Sequence, residues 1–265
     1  MLNYVLWNIY YKLPLMQRRK FLQQGLLGMG AALAAPSMLH ASTQSHSLKN
    51  KIEIQSNDII LFQGDSITDH SRKRDNMEAN HIDALGRGYA MVAAGTLLNT
   101  FADKNLKIYN KGISGNKVPQ LADRWQEDCL DLKPNILSIL IGVNDYWHKR
   151  NGNYDGSAES YRDQYRKLLD QTLQTLPNVK LIIGEPFAVK NVRHVDDTWF
   201  PEFGKYQEVA KAIAKEYKAS FIPYQSVFDQ AEKRAPGSHW TTDGVHTSVA
   251  GINLMAQAWL ASIKM

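Results

Sequence analysis

"ILSILIGVND", residues 136–145, is a nearly unbroken apolar run that stops at a glycine and is followed by an asparagine and an acid. A strand with one wet face alternates polar and apolar residues; this run does not, so it reads as a strand buried on both faces of a parallel sheet. "VKLIIG", 179–184, has the same character. Working outward, "IILF" at 59–62, "LKIYN" at 106–110 and "ASFIP" at 219–223 complete five strand candidates, each rich in β-branched or aromatic residues. Between and after them lie longer stretches, 87–101, 117–132, 157–176, 201–218 and 248–263, with apolar residues three and four apart, as on one face of a helix. Ser157 with Glu159 and Ser160 makes a helix start, and Pro177 a stop. The alternation predicts an α/β fold: a five-stranded parallel sheet with helices on both faces.

A chain of 265 residues, 44% hydrophobic and 22% charged, suits one large domain, read here as 58–265 after a lead-in at 42–57. The net charge of +5 is unevenly placed. Four of the 31 basic residues (Lys12, Arg18, Arg19 and Lys20) fall in the first 41 positions, which hold no acid, leaving 27 basic against 26 acidic residues. That near-neutral remainder argues against a nucleic-acid partner, which needs clustered positive charge. Residues 1–41 read as an export signal: a charged region, a short apolar run from Gly25 to Ala35, then small residues, with Arg18 and Arg19 resembling the twin-arginine pattern. The aromatic stretch before Met16 does not fit such a signal, so translation is expected to begin at Met16, with cleavage near Ala41. The apolar run is too short to span a bilayer comfortably, so an exported, periplasmic or secreted protein without a stable membrane anchor is expected. Cys129 is the single cysteine, which excludes an intrachain disulfide and reads as a small buried hydrophobe.

Acyl transfer needs a hydroxyl nucleophile, an imidazole to take its proton, an acid to orient the imidazole, and donors for the oxyanion. Ser66 ends the first strand in "ILFQGDSITDH", 60–70; Gly115 follows the second in "NKGISGN", 110–116; Asn144 follows the third; Asp243 and His246 stand in "DGVH" before the last helix. Each alone has a structural explanation. Ser66 can cap a turn, Gly115 can supply a positive φ, Asn144 can bond its own backbone, and Asp243 with His246 can start a helix. Together they fall at strand ends, on the side where open α/β sheets place a ligand crevice.

The four blocks "GDSIT", "GISG", "GVND" and "DGVH" occur in the order of the SGNH hydrolases, also called the GDSL lipase and acylhydrolase family, and the chain resembles that family over about residues 58–263. The resemblance implies a flavodoxin-like three-layer α/β/α sandwich. It implies Ser66 as nucleophile, His246 as general base, Asp243 as its orienting partner, and an oxyanion hole from the N–H groups of Ser66 and Gly115 with the Asn144 amide. In its terms Asp65 shapes the turn, Asp145 buttresses the loop carrying Asn144, and no cofactor or metal is required.

Three competing chemistries find little support in the residues. G-x-S-x-G, the elbow of α/β-hydrolases, is absent. A metal-dependent deacetylase would rest on His194, Asp196 and Asp197 with His81 and Asp83, whose spacings match no tight ligand set. A redox cofactor lacks G-x-G-x-x-G, a P-loop and cysteines. Trp147, Trp199 and Trp240 stand near the candidate residues or in a long loop after a strand, and their faces suit sugar rings as well as a core. They turn the expectation toward an acylated glycan as substrate, with lysophospholipids and acyl thioesters as alternatives. The non-enzyme alternative is a carbohydrate-binding module on the same fold.

Overall fold

The computed structural model describes residues 51–265, so the export signal and the first part of the lead-in lie outside the described residues. The five strands are β1 Ile59–Gly64, β2 Lys107–Asn110, β3 Ile136–Leu140, β4 Lys180–Gly184 and β5 Ser220–Ile222. They form one parallel sheet in the order β2-β1-β3-β4-β5, the flavodoxin-like arrangement expected. All five residues of β3 are buried, as its unbroken apolar pattern requires. In register, Phe62 of β1 lies beside Asn110 of β2 on one side and Ser138 of β3 on the other.

Among the described residues, ten α-helical segments follow the strands. After β1 come α1 Ser66–Asp69, α2 Ile82–Leu85 and α3 Tyr89–Thr100, and after β2 comes α4 Val118–Asp123. Behind β3 stand α5 Val143–Arg150 and α6 Ala158–Thr175, and behind β4 stands α7 Glu202–Glu216. The chain after β5 supplies α8 Tyr224–Glu232, α9 Gly237–Trp240 and α10 Val249–Leu260. α3 packs on α10 with α8 and α9 beside it, while α4, α6 and α7 form a separate layer. On the first layer Trp259 packs on Phe62, ring centroids 4.8 Å apart, and its indole N–H donates to Ser138 Oγ at 2.9 Å. In the second, Tyr161 meets Tyr206 at 5.4 Å and Trp125 donates to Thr172 Oγ1 at 2.9 Å. Truncating one such buried aromatic to alanine costs about 3–5 kcal/mol.

The helix expected over 117–132 is interrupted. α4 stops at Asp123, and Gln126–Leu130 forms one wide turn closed by the Asp131 N–H to the Gln126 carbonyl at 2.9 Å. The wide turn is tied to the sheet, the buried Gln63 amide of β1 donating to the Asp128 carbonyl at 2.8 Å. Cys129 in this turn is fully buried.

The strand order reverses direction between β1 and β3, which leaves a crevice above their carboxyl ends. Ser66 follows β1 and Asn144 follows β3, so both stand at that crevice. Gly64 makes their approach possible: a Cβ there would lie 2.3 Å from the Leu140 carbonyl oxygen of β3, so no larger residue fits at the end of β1.

Candidate active site

The Ser66 segment begins with a capped single turn. Asp65 accepts the Ile67 N–H at 3.0 Å, and the Asp65 carbonyl takes the Thr68 and Asp69 N–H groups, which fixes Ser66 as the first residue of α1. Asp65 is fully buried, and burial pushes its carboxyl up to about 7 against the opposing pull of the Ile67 N–H and the His246 charge. Its place is that of a turn-shaping residue, as the sequence suggested.

Ser66 Oγ lies 2.8 Å from His246 Nε2, and His246 Nδ1 lies 2.7 Å from Asp243 Oδ2. Asp243 also accepts the backbone N–H groups of His246 at 2.7 Å and Val245 at 2.9 Å through its other oxygen. Burial opposes the Asp243 charge, but the imidazole and the two N–H donors outweigh it and hold the carboxyl at about 2. The same hydrogen bond raises the His246 pKa above its ordinary value, partly offset by desolvation.

The loop bearing Asp243 and His246 is pinned from outside. Val189 donates to the Gly244 carbonyl at 2.7 Å and His194 to the Asp243 carbonyl at 3.1 Å, so the long segment between β4 and α7 holds Asp243 and His246 in place. Trp199 belongs to this support. It is fully buried, its indole N–H donates to the His194 carbonyl at 2.9 Å, and its own carbonyl accepts from Tyr146 at 3.0 Å. Expected as a sugar-stacking face, Trp199 instead has its ring covered by Tyr146, Trp147 and Phe203. Trp240 departs from expectation in the same way: it is 8% exposed, donates to the Ala235 carbonyl at 3.1 Å, and carries the Arg234 guanidinium 4.9 Å above its ring. Only Trp147 of the three is partly open, its ring 6.4 Å from that of His246.

The two remaining candidates meet across the crevice. Asn116 N–H donates to the Ile113 carbonyl at 3.1 Å, closing a turn with Gly115 third at φ +82°, the geometry of a type II turn, which favours glycine at that place. Asn144 in the first turn of α5 donates from its amide to the Asn116 carbonyl at 3.1 Å, tying the two loops together. An amide carries two hydrogens, so one is left for another acceptor. Asp145 accepts the Val118 N–H at 3.2 Å and joins α5 to α4 behind Asn144. Burial pushes the Asp145 carboxyl up to about 7. If Asn144 donates to an oxyanion, Asn144→Ala lowers kcat by about 10² to 10³ with the fold retained, and steady-state kinetics with circular dichroism test it.

Four of the five residues of the metal reading are occupied otherwise. His81 Nδ1 caps α2 and Asp83 pairs with Lys73, while Asp196 lies 3.6 Å from Arg150 and Asp197 3.4 Å from Lys190. Sequence reasoning missed three neighbours of the crevice: Asp69 on α1, and Lys117 with His148, whose Nζ and Nδ1 lie 3.4 Å apart. Their only sequence signal was proximity to the motifs.

Residues 62–253 match the GDSL-like lipase/acylhydrolase family. The chain is 36% identical over 214 residues to the acetylxylan esterase of Geobacillus stearothermophilus, which covers 80% of this chain and 96% of that protein. Among solved structures, a GDSL-like lipase from Parabacteroides merdae aligns with a TM-score of 0.79 and 43% identity, over 80% of this chain and 98% of its own. The G. stearothermophilus esterase aligns with a TM-score of 0.72 and 32% identity, over 81% and 97%. That esterase has also been solved as catalytic mutants in which a serine, an aspartate or a histidine is replaced by alanine, the last two lying three positions apart.

Proposed function

The chain belongs to the GDSL-like lipase/acylhydrolase family and is a carboxylic ester hydrolase, and from that premise we propose an exported serine esterase that removes acetyl groups from a carbohydrate. The observation that carries the catalytic part is the unbroken chain from Ser66 Oγ through the His246 ring to Asp243, at 2.8 and 2.7 Å. In this reading Ser66 Oγ attacks the acyl carbonyl carbon while its proton passes to His246 Nε2. The oxygen that gains negative charge is met by the N–H groups of Ser66 and Gly115 and by the Asn144 amide. The intermediate collapses as His246 returns the proton to the departing sugar hydroxyl, leaving an acyl ester on Ser66. Water then attacks that ester, His246 takes its proton and gives it to Ser66 Oγ, and the carboxylic acid leaves.

The glycan part is supported by the acetylxylan esterase relative and by Trp147, whose partly open ring borders His246. Export rests on Arg18, Arg19 and the apolar run after them; a chain found in the cytoplasm with residues 16–41 still attached would contradict it, and an N-terminus that retains residues 1–15 would contradict a start at Met16. The substrate reading is tested by acetate release from acetylated xylan and pectin beside hydrolysis of p-nitrophenyl acetate, butyrate and octanoate. Acetate release with preference for the shortest ester supports it. Preference for octanoate with no acetate from either polysaccharide overturns it in favour of a lipid or thioester acylhydrolase.

A further inference from the structure

Asp69 lies one helical turn beyond Ser66 and is 2% exposed. One of its carboxylate oxygens, Oδ2, accepts three hydrogen bonds: from the Ser114 N–H at 2.9 Å, from Ser114 Oγ at 2.7 Å and from Arg74 Nη2 at 2.5 Å. Two of the three donors thus belong to the residue immediately before Gly115.

We infer that Asp69, with Ser114 and Arg74, is a positioning group that fixes the Gly115 N–H relative to Ser66. This inference rests on the serine esterase reading above. α1 carries the nucleophile at its first residue and the Asp69 clamp at its last, so a single turn of helix references both halves of the site to each other. The segment leading to Gly115 is strapped to α1 at several points. Asn110 donates from its amide to the Thr68 carbonyl at 2.6 Å, and Arg72 Nε donates to the Gly112 carbonyl at 2.8 Å. Gly112 is packed so closely that a Cβ would lie 2.4 Å from the Asp69 nitrogen. The Ser114 bonds are the last strap, with one peptide unit between them and the oxyanion donor.

A purely core-stabilising role fits this arrangement poorly. Ser114 and Gly115 are exposed, and nothing lies within 4 Å of where a Gly115 Cβ would sit, so the turn tip is held by hydrogen bonds rather than packing: from Ser114 to Asp69 before Gly115, and from Asn144 and Arg124 to Asn116 after it. A buried carboxylate spent on an exposed turn acts on where that tip stands. Burial opposes its charge, and the donors from Arg74 and Ser114 outweigh that and lower its pKa, so the acceptor is an anion and its bonds are of the stronger, charge-assisted kind.

Oxyanion donors act mainly in the transition state, so displacing one lowers kcat and leaves KM for a small ester nearly unchanged. Asp69→Asn is expected to lower kcat on p-nitrophenyl acetate by about 10- to 100-fold, a fraction of the 10² to 10³ lost with a whole donor. Ser114→Ala, which removes one bond of the three, is expected to lower it by about 3- to 10-fold. Inhibition by an alkyl boronic acid, which forms a tetrahedral adduct with a serine hydroxyl, weakens by the same factors. Ser66→Ala is run alongside. If it is inactive while Asp69→Asn and Ser114→Ala fold with wild-type kcat and boronate affinity, or raise KM alone, this inference falls and the serine reading stands. If Ser66→Ala keeps its activity, the serine reading falls first and takes the inference with it. Where Asp69→Asn does not fold, Ser114→Ala at its exposed position decides alone.

Discussion

Ser66→Ala is expected to lower turnover of p-nitrophenyl acetate by on the order of 10⁶-fold while leaving the thermal unfolding temperature nearly unchanged. Ser66 is only partly buried, and its Oγ bonds to His246 alone among the described residues, so losing it removes little packing. The chemical loss is large because no other hydroxyl among the described residues is bonded to that imidazole. His246→Ala should cost about as much, and the double variant little more than either, because the two act as a unit. An additive double variant would mean that His246 works on some group other than Ser66. The assay needs enzyme free of contaminating esterase, since the surviving rate is so small.

Asp243→Asn is the second large effect, about 10⁴-fold in kcat, because an amide no longer selects the tautomer that leaves Nε2 free to accept the serine proton. It also changes the pH profile in a direction that can be worked out. His246 must be neutral to act as base, so activity rises with pH through its pKa. Asp243 raises that pKa above the ordinary imidazole value, which places the acid limb of kcat/KM above about 6.5 in the native enzyme. Asp243 itself, at about 2, stays ionised throughout that limb. Asp65, pushed up to about 7, titrates in the same range, so the limb is a shared, macroscopic one. Removing the Asp243 charge leaves desolvation of His246 opposed only by the weaker pull of Asp65, and moves the limb to lower pH. A limb that stays in place or moves up in Asp243→Asn would show that Asp243 is not the partner of the base. The linked stability has the same origin: the raised His246 pKa contributes stability below the ordinary imidazole range and loses it as pH rises through the folded value.

The five strands were legible because burial on both faces writes itself as unbroken apolar runs: "ILSILI" and "VKLIIG" fall within a residue or two of β3 and β4. The long amphipathic helices α3, α6, α7 and α10 were legible for the matching reason, a stripe repeated over three or more turns. What escaped was short or decided from a distance. α1, α2 and α9 are single turns, too brief for a period to appear. α5 begins at Gly142 without a side-chain cap, so "VNDYWHKR" carries no start signal. The wide turn after α4 is bonded to Gln63, more than sixty positions away in sequence.

The candidate site divides along the same line. Ser66, Gly115, Asn144, Asp243 and His246 stand at strand ends and loops, where residue type and place together carry chemical meaning. The tryptophans do not separate so easily, because an indole serves a core and a sugar equally well. Trp199 and Trp240 went to structural use, their N–H groups satisfied by backbone carbonyls of neighbouring loops. Asp69 was invisible because its partner Ser114 lies 45 positions away, and only the folded turn brings them together.

The central claim is that Ser66 is the acyl-accepting nucleophile, and covalent labelling tests it most directly. The enzyme is treated with an alkyl fluorophosphonate, which loses fluoride on forming a phosphonyl ester with an activated serine, and is then analysed by intact mass and peptide mapping. The account predicts one label per chain, on Ser66, with activity lost in proportion to labelling and no label on Asp243→Asn within the same time. Stoichiometric labelling elsewhere, or full activity in a chain fully labelled at Ser66, would contradict it.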